Sequence, residues 1–397
     1  MNLNCTACGA VYPFETAHPR CRRCNEPLAL EVDGLAAAGI RADEYGMLKR
    51  YADFLPFAAG FEHLSLGEGR TPLVASTIAA RSVGIERLWF KNETQNPTWS
   101  FKDRGTVTGL IHAVKLGYDR IGTVSTGNMA ASVAAYCAHA GLKAYILVSA
   151  AMPASKIAPI AVYDPQMIQI SGDYGRMYDE SLAIGSREKI YFINSDVPFR
   201  VEGSKTIAFE ICEQMGFEVP DAVVVPTSAG GNARGILKGF EEFKQAGLID
   251  RVPLLVVAQA AGCAPIVKAH ETDAAAVVQW PQPHTIAHAI ENPFPPSGNE
   301  ILRRLKRTGG WTVAVSDREI LDARDLMARD GFFGQPAAAV PLAAVTRLRA
   351  EGRLAAHHKV VCIVTGSGLK YPEALADRPL NMAKTTVEDL GQVFQSL

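Results

Sequence analysis

The regular alternation of short apolar runs with longer amphipathic stretches is the feature of this chain that most limits its fold. The apolar runs are rich in β-branched residues and have the length of buried strands, at residues 87–91, 121–125, 143–148, 167–170, 190–194, 222–226, 254–258, 311–315 and 360–365. The stretches between them have helical periodicity, at residues 129–140, 174–184, 205–215, 233–245, 317–329 and 337–351. Because runs that are apolar throughout are typical of strands covered on both faces, the pattern predicts an α/β fold with a parallel sheet between helices.

Length and composition exclude several other classes of protein. The chain has 397 residues, of which 48% are apolar and 20% charged, so it is neither disordered, collagen-like nor a long coiled coil, and two or three domains are expected. Its net charge of −1 gives no general attraction to nucleic acid or to anionic membranes. The N-terminus lacks the basic and apolar regions of a signal peptide, and we therefore expect a cytoplasmic protein.

The first 24 residues contain two C-x-x-C pairs, Cys5 with Cys8 and Cys21 with Cys24. A two-residue spacing lets both thiolates of a pair face one point, and four thiolates suit tetrahedral Zn²⁺. The alternative is four free or disulfide-bonded cysteines. A reducing cytoplasm disfavours the disulfides, and the spacing favours a metal site over free cysteines. We predict a zinc-ribbon-like head over residues 1–32 with a structural metal, because a closed site of four cysteines leaves no position open for catalysis.

Two other groups of residues are predicted to have no role in chemistry. Arg20, Arg22 and Arg23 flank the second pair; they could contact nucleic acid, but a solvated basic turn is the preferred interpretation. The remaining cysteines lie in apolar or helical stretches and are predicted to be small core residues: Cys137, Cys212, Cys263 and Cys362.

Three predicted strands end in segments whose residues can bind ligands. Residues 125–128 read Ser-Thr-Gly-Asn, residues 228–232 read Ser-Ala-Gly-Gly-Asn, and residues 365–370 read Thr-Gly-Ser-Gly-Leu-Lys. In α/β sheets, ligands bind at the carboxyl ends of strands, where helix N-termini present free N–H groups, and adjacent glycines can form a phosphate cradle. The alternatives are an ordinary helix N-cap by Asn128 and a plain tight turn at the paired glycines.

The most informative segment is residues 96–105, which read Asn-Pro-Thr-Trp-Ser-Phe-Lys-Asp-Arg-Gly. Lys102 follows a turn-forming Asn-Pro and stands at the start of a predicted helix, where the positive end of the helix dipole lowers the pKa of an amine and favours its nucleophilic form. The alternative is a surface lysine paired with Asp103.

This segment resembles the cofactor-lysine motif of the threonine synthase family, a group of fold-type II pyridoxal-phosphate enzymes. Other segments resemble the family in the same order along the chain: residues 67–73, 125–128, 194–200, 226–232, 285–290 and 365–370. One branch of the family also carries a four-cysteine ribbon ahead of its catalytic domain. The resemblance implies a two-lobed fold similar to that of tryptophan synthase β, with parallel or mixed sheets. It places a large cofactor-binding lobe at residues 33–101 plus 205–397 and a small α/β lobe at residues 102–204.

The resemblance also implies the residues that bind pyridoxal 5′-phosphate. Lys102, next to Phe101, would hold the cofactor covalently, and Asn128 would bond the phenolic oxygen of its ring. The loop for the cofactor phosphate would consist of Gly230, Gly231, Asn232 and Ala233. Thr365 would meet the ring nitrogen. Because a hydroxyl, unlike a carboxylate, does not hold a proton on that nitrogen, we expect elimination and replacement chemistry rather than transamination.

A phosphorylated amino acid needs two further anion sites. By resemblance, the substrate carboxylate would lie on a helix start formed by Ser125, Thr126 and Gly127. The family's segment for the substrate phosphate corresponds here to Asn194, Ser195 and Arg200. Arg200 would bind the phosphate in bidentate fashion. The alternative for Arg200 is a structural salt bridge with Glu202.

The implied activity is the conversion of O-phospho-L-homoserine and water to L-threonine and phosphate by a cytoplasmic homodimer. One alternative is a related β-replacement enzyme acting on O-phosphoserine, similar to cysteate synthase. Another is a serine or threonine dehydratase, in which Arg200 would have no role. A third is a non-catalytic binding protein that uses the ribbon as its working surface, although the presence of Lys102 and the cofactor loop disfavours it.

Four residues depart from the family pattern close to the predicted pocket. Trp99 replaces a glycine beside the cofactor lysine, and such an indole must either narrow the pocket or cover it. Ala229 replaces an asparagine, Gln335 replaces a glutamate, and His288 interrupts the segment at residues 285–290. These changes leave the cofactor chemistry intact and bear on the choice of substrate.

Overall fold

The computed structural model describes residues 1–125, 127–150, 154–171, 174–375 and 382–396. Its strands, in chain order, are β1 (Asn2–Cys5), β2 (Val11–Pro13), β3 (Leu28–Glu31), β4 (Leu73–Ala75), β5 (Arg87–Asn92), β6 (Arg120–Val124), β7 (Lys143–Ser149), β8 (Gln166–Ile170), β9 (Tyr191–Phe192), β10 (Ala222–Pro226), β11 (Leu254–Ala260), β12 (Trp311–Val315) and β13 (Lys359–Val364). Every predicted strand is present, although the strand predicted at residues 190–194 is reduced to two residues.

The α-helices, in the same order, are α1 (Met47–Arg50), α2 (Ile78–Val83), α3 (Lys102–Lys115), α4 (Asn128–Ala140), α5 (Ala154–Ala161), α6 (Tyr174–Glu188), α7 (Pro198–Gln214), α8 (Gly231–Gln245), α9 (Pro265–Glu271), α10 (Gly298–Thr308), α11 (Asp317–Arg329), α12 (Pro336–Ala350) and α13 (Leu390–Ser396). The six predicted helices are all present. The largest difference is α7, which begins seven residues before the predicted start because Pro198 occupies its first turn, a position that proline tolerates well.

In the described ranges, the strands form three sheets. The head contains an antiparallel sheet in the order β2-β1-β3. A six-stranded sheet has the order β12-β11-β10-β13-β5-β4 and is parallel except for its edge strand β4. A parallel four-stranded sheet has the order β8-β7-β6-β9. The predicted α/β class with parallel and mixed sheets is therefore confirmed, while the lobe boundaries at residues 33, 102 and 205 stay a prediction.

Strand β10 illustrates why the apolar runs stand out in the sequence. All five of its residues, Ala222–Pro226, are buried, since β11 and β13 flank it on both edges and α8 and α12 pack against the strand. Such a strand has no solvent face, so it reads as a continuous apolar run.

Helices α3 and α7, which begin at Lys102 and Pro198, approach each other unusually closely. A Cβ on Gly105 would lie 2.9 Å from the carbonyl oxygen of Arg200, and a Cβ on Gly203 would overlap the carbonyl oxygen of Arg104. The two glycines therefore let the helix starts lie side by side. This packing places Lys102 and Arg200 near each other.

A buried group of charges holds the same two helices together. Arg104 on α3 donates to Glu93 at 2.7 Å and to Glu210 on α7 at 2.6 Å, and Lys91 donates to Glu210 at 2.7 Å. All four side chains are shielded from water. Buried carboxylates that are fully paired in this way fix one geometry, because breaking one pair would leave a charge uncompensated.

Within the described ranges, no helix has both the length and the apolarity that crossing a bilayer requires.

Candidate active site

Lys102 is the first residue of α3 and is half-buried. Its Nζ lies 4.4 Å from the centre of the Phe101 ring. Burial, and after it the positive charge of Arg200, lowers the pKa of Lys102 to about 7. The direction agrees with the sequence prediction, but the cause differs, since the sequence attributes it to the helix dipole. A lysine with this pKa is partly neutral near neutral pH and can act as a nucleophile or as a base.

The alternative of a surface lysine paired with Asp103 is wrong. The Asp103 carboxylate is fully buried and accepts hydrogen bonds from the backbone N–H of Thr98 at 2.7 Å, from the Thr98 hydroxyl at 2.6 Å and from the Ser132 hydroxyl at 2.6 Å. These bonds tie Asp103 to the turn before the helix and leave the amine of Lys102 free of it.

The loop after β13 packs directly on the residues before Lys102. The Phe101 N–H donates to the carbonyl oxygen of Thr365 at 3.0 Å, and the Ser367 N–H donates to the carbonyl oxygen of Trp99 at 3.0 Å. Thr365 itself is buried. Two segments more than 260 residues apart in the chain thus form one wall beside Lys102.

Asn128 and Gln335 complete this wall. The Asn128 amide donates to Gln335 at 3.0 Å, and the Gln335 N–H donates to the carbonyl oxygen of Gly366 at 3.0 Å. A Cβ on Gly366 would lie 3.0 Å from the Asn128 amide nitrogen. The alternative interpretation of Asn128 as an ordinary N-cap is wrong, since Gly127 occupies the N-cap position of α4 and the Asn128 side chain bonds elsewhere.

Several buried polar atoms have no hydrogen-bond partner among the described residues: Ser100 Oγ, Asn128 Oδ1 and Lys370 Nζ in the segments of this wall, and Asn232 Nδ2 and Oδ1 at the start of α8. Burying a polar atom without a partner is costly, so these atoms are suited to binding a polar ligand. The sequence alone predicts no role for Lys370. Burial lowers the pKa of Lys370 to about 8, against the opposing charge of Asp103.

The paired glycines at the end of β10 form the turn into α8. Gly230 is the N-cap of this helix, with a left-handed backbone at φ 95°. A Cβ on Gly230 would lie 2.9 Å from the Cβ of Ser297, and a Cβ on Gly231 would overlap the carbonyl oxygen of Ser195. Only glycine fits at both positions. The N–H groups of the next residues, Asn232 and Ala233, have no acceptor in the part of the chain that the structure describes, and they stand at a helix start, as binding of an anion requires. The proline-rich stretch before Gly298 contacts this turn through Ser297.

Arg200 stands in the first turn of α7 and is buried. The one hydrogen bond of its guanidinium among the described residues is to the Thr106 hydroxyl at 3.3 Å. The alternative of a salt bridge with Glu202 is wrong, since Glu202 binds Lys205 at 2.6 Å and also Lys238. Burial lowers the pKa of Arg200 to about 9, which Asp103 and Asp196 oppose. A buried guanidinium without a carboxylate partner is suited to an anionic ligand.

The other residues predicted to bind the substrate differ in whether their side chains already have hydrogen-bond partners. Asn194 accepts from the backbone N–H of Val124 at 3.1 Å and donates to Ser181 at 3.0 Å, so its amide anchors the segment to β6. The Ser125 hydroxyl lies 3.4 Å from the Gly127 nitrogen. Thr126 lies outside the described residues.

Two of the four departures from the family pattern are explained by their geometry. Trp99 has a left-handed backbone at φ 61° and a side chain that is 53% exposed. A left-handed backbone favours glycine, the residue that the family pattern has there, and the indole is more than half exposed. His288 is exposed and lies 2.8 Å from Glu291, so it is a loop histidine. Gln335 lies in the site.

The fourth departure, Ala229, is buried beside the glycine turn. Its carbonyl oxygen accepts from the Ser297 N–H at 2.9 Å. The backbone thus retains a structural bond, while the methyl side chain offers no polar group to a ligand.

The four cysteines of the head converge, with their Sγ atoms all within 4.8 Å of one another. The Sγ atoms of Cys5 and Cys24 are 3.4 Å apart and those of Cys8 and Cys21 are 3.6 Å apart, so all four are thiols and the disulfide alternative is wrong. Burial raises the pKa of Cys21, but hydrogen bonds from the Tyr12 hydroxyl and from backbone N–H groups outweigh it and bring this pKa to about 6. Four convergent thiols with N–H donors to sulfur fit a tetrahedral metal.

The other four cysteines are buried and free, as predicted for core residues: Cys137, Cys212, Cys263 and Cys362.

Comparison with known proteins agrees with this geometry. Residues 64–366 match the family described as pyridoxal-phosphate dependent enzyme. The chain is 39% identical to the threonine synthase of Methanocaldococcus jannaschii, with 94% of each chain covered. It is 37% identical to that of Methanosarcina acetivorans, over 95% of this chain and 94% of the relative. It is 36% identical to that of Mycobacterium tuberculosis, over 84% of this chain and 91% of the relative.

Solved structures show the same fold at lower identity. Maize serine racemase superposes with a TM-score of 0.66 at 23% identity, covering 83% of this chain and 91% of that one. The processed form of threonine deaminase isoform 2 from Solanum lycopersicum gives a TM-score of 0.66 at 18% identity, covering 82% and 92%. Since these likenesses establish the fold and the sequence matches extend over nearly the whole chain, this protein belongs to the threonine synthase family of pyridoxal-phosphate dependent enzymes.

Proposed function

We propose that this enzyme converts O-phospho-L-homoserine and water to L-threonine and inorganic phosphate. The observation that carries the proposal is Arg200, a buried cation with no carboxylate partner among the described residues. It lies near Lys102 and follows Ser195, whose carbonyl oxygen touches the glycine turn. A substrate and a cofactor that each carry a phosphate need two anion sites next to one amine, and we assign these to Arg200 and to the glycine turn.

Bound pyridoxal phosphate supplies an electron sink for the bonds at the α-carbon of an amino acid. Lys102 is proposed to hold it covalently, and Phe101, whose ring centre lies 4.4 Å from the Lys102 amine, is proposed to contact it. Asn128 keeps a second amide N–H beyond its bond to Gln335, and this hydrogen is proposed for the phenolic oxygen of the ring. The hydroxyl of Thr365 is proposed for the ring nitrogen.

The proposed cradle for the cofactor phosphate is the helix start at Gly230, Gly231, Asn232 and Ala233. This assignment is supported by the free N–H groups of α8 and by both unpartnered amide atoms of Asn232. Because the α8 dipole directs its positive end to this point, a dianionic phosphate is favoured there.

Lys102 is proposed to move the protons of the reaction. With its pKa at about 7, the released amine can take a proton from Cα and then from Cβ of the substrate, and it can return a proton when product forms. Arg200, together with Ser195 and Asn194, would bind the phosphate that leaves from Cγ. Ser125, Thr126 and Gly127 are proposed for the substrate carboxylate.

A structural Zn²⁺ on Cys5, Cys8, Cys21 and Cys24 is proposed for the head. The convergence of four thiols within 4.8 Å supports it. The metal would hold in place the backbone turns at the two C-x-x-C pairs, which we call the first and second cysteine knuckles. A homodimer, a cytoplasmic location and the two-lobe boundaries also stay proposals.

Three candidate activities can be separated by one set of assays on purified holoenzyme. Since the indole of Trp99 is more than half exposed, we infer that it covers the pocket rather than narrowing it, which leaves room for the longer O-phospho-L-homoserine. We expect phosphate and threonine to form in equal amounts from O-phospho-L-homoserine. Phosphate release from O-phospho-L-serine, with or without sulfite, should be much slower. Faster turnover of O-phospho-L-serine would replace the proposal with a β-replacement enzyme, and ammonia release from serine or threonine with no turnover of either phosphate ester would replace it with a dehydratase.

A further inference from the structure

Arg20 connects the cysteine head to the site, in contrast to the solvated basic turn predicted from the sequence. Its side chain is only 12% exposed, and its Nη1 donates to Asp196 at 2.8 Å and to the carbonyl oxygen of Pro296 at 3.2 Å. Its Nε donates to the carbonyl oxygen of Asn25 at 2.8 Å. The guanidinium therefore joins the second cysteine knuckle to two distant parts of the chain.

The knuckle backbone holds Arg20 in position. Arg20 immediately precedes Cys21 and forms an antiparallel bridge with Pro27. The Cys21 N–H donates to the carbonyl oxygen of Glu26 at 2.8 Å, and the Glu26 side chain is in turn paired with Arg303 on α10 at 2.7 Å. The position of the guanidinium is thus set by the fold of the head.

Asp196, the partner of Arg20, is fully buried within the segment that runs from Asn194 to Arg200. It also accepts a hydrogen bond from the Tyr178 hydroxyl at 2.5 Å, and its Oδ1 has no partner among the described residues. Its negative charge acts on Arg200 as well as on Arg20. Asp196 is therefore a buried carboxylate that is bonded to the guanidinium of the head and interacts electrostatically with the one at the second anion site.

Pro296 links Arg20 to the other anion site. The next residue, Ser297, donates its N–H to the carbonyl oxygen of Ala229 at 2.9 Å and packs on Gly230. A single side chain of the head thus contacts the neighbours of both the glycine turn and Arg200.

We propose that Arg20 is a positioning residue of the second anion site, which binds Asp196 and so keeps this carboxylate from competing with the substrate phosphate for Arg200. Without Arg20, Asp196 would be a buried charge whose side chain keeps one hydrogen bond among the described residues, from Tyr178. Arg200, with which Asp196 already interacts electrostatically, would then serve as its counter-charge. The proposal rests on the proposed function, in which Arg200 binds the substrate phosphate.

The test compares Arg20→Gln with Arg23→Ala, which removes an exposed arginine of the same knuckle. For Arg20→Gln we expect KM for O-phospho-L-homoserine and the inhibition constant of inorganic phosphate to rise about tenfold, with kcat and cofactor affinity changed by less than about twofold. Arg23→Ala should match the wild type. An unchanged KM in Arg20→Gln would overturn the proposal.

The double variant Arg20→Gln/Asp196→Asn separates positioning from a merely structural role. Because the competing carboxylate is then gone, KM should return most of the way to the wild-type value. A double variant no better than Arg20→Gln alone would contradict the proposal. If Arg20→Gln does not fold, Asp196→Asn alone takes its place. Because no carboxylate is then left to compete for Arg200, KM for O-phospho-L-homoserine should stay within about twofold of the wild-type value or fall. A KM raised about tenfold in Asp196→Asn would overturn the proposal.

Failure of the proposed function is distinguishable from failure of this inference. If the wild type does not use O-phospho-L-homoserine, inorganic phosphate can still be titrated into the holoenzyme and followed by the absorbance of the cofactor. Weaker phosphate binding in Arg20→Gln than in Arg23→Ala then supports the role of Arg20, and equal binding overturns it.

Discussion

The carbonyl oxygen of Ser195 occupies the space in which Gly231 would carry a Cβ. The segment proposed for the substrate phosphate and the cradle proposed for the cofactor phosphate therefore share one contact, at the N-terminus of α8. No side chain can enter there without moving one of the two segments.

Gly231→Ala is accordingly expected to damage both anion sites at once. The added methyl must displace backbone rather than a flexible side chain, so we expect a loss of about 1–3 kcal/mol in the free energy of unfolding and weaker binding of both cofactor and substrate. Gly46→Ala is the matched control, because a Cβ there meets nothing within 4 Å and the backbone at φ −76° accepts alanine. Equal cofactor affinity in the two variants, measured by absorbance titration of the apoprotein, would show that the cradle is placed wrongly.

The lowered pKa of Lys102 predicts how cofactor loading depends on pH. Only the neutral amine attacks the aldehyde, so the rate of cofactor incorporation into apoprotein should fall as the pH decreases through about 7. Arg200→Gln removes the second cause of the shift and should move the midpoint of this profile to higher pH. Stopped-flow absorbance measures both profiles. A midpoint that stays near the ordinary lysine value in the wild type, or that does not move in Arg200→Gln, is incompatible with this site.

The left-handed backbone of Trp99 predicts that glycine is tolerated better than alanine. A residue with a Cβ at φ 61° carries a strain of about 1–2 kcal/mol that glycine relieves. In urea unfolding, Trp99→Gly should therefore be at least as stable as Trp99→Ala. The greater conformational entropy of glycine in the unfolded chain acts in the opposite direction and reduces the difference. Since the indole is exposed, neither variant should change the preference for O-phospho-L-homoserine over O-phospho-L-serine. A switch of preference in Trp99→Gly would mean that the indole lines the pocket.

The cysteine head predicts a metal content and a pattern of thiol reactivity. Purified protein should contain about one zinc per chain. A chelator should make the cysteines of the head reactive to a thiol reagent, while the four buried core cysteines stay protected. Metal removal should also raise KM for the phosphorylated substrate as Arg20→Gln does, because the knuckle then no longer fixes the guanidinium. Zinc-free protein with unreactive head thiols would refute the assignment.

The sequence predicts most of the fold because buried strands and amphipathic helices leave periodic patterns. Strand β10, buried on both faces, has the same bounds in the sequence pattern and in the structure. The head strands β1 to β3 are only three or four residues long, too short for a period to be recognised, and the pattern does not reveal them. The predicted start of helix α7 is seven residues late, because Pro198 reads as a loop residue when its first-turn position is unknown.

Motifs identify the residues of the candidate site, but they do not identify the partners of those residues. The alternative pairing of Arg200 with Glu202 fails for a simple reason: both lie on α7, where side chains two residues apart point in different directions. Arg20 reads as a solvated residue because its partner, Asp196, is 176 residues away. Contacts of this kind form only in the tertiary fold, so no local sequence pattern predicts them. The backbone strain at Trp99, in contrast, can be predicted from the sequence, because a motif position that is usually glycine often has a left-handed backbone.

The central claim is that a carbon–oxygen bond of O-phospho-L-homoserine breaks and that water then adds at Cβ. The most direct measurement is turnover in H₂¹⁸O, with mass spectrometry of both products. The claim predicts one ¹⁸O atom in the hydroxyl of threonine and none in the released phosphate, because all four oxygens of that phosphate come from the substrate. Label in the phosphate, with homoserine as the other product, would show hydrolysis at phosphorus and would contradict it.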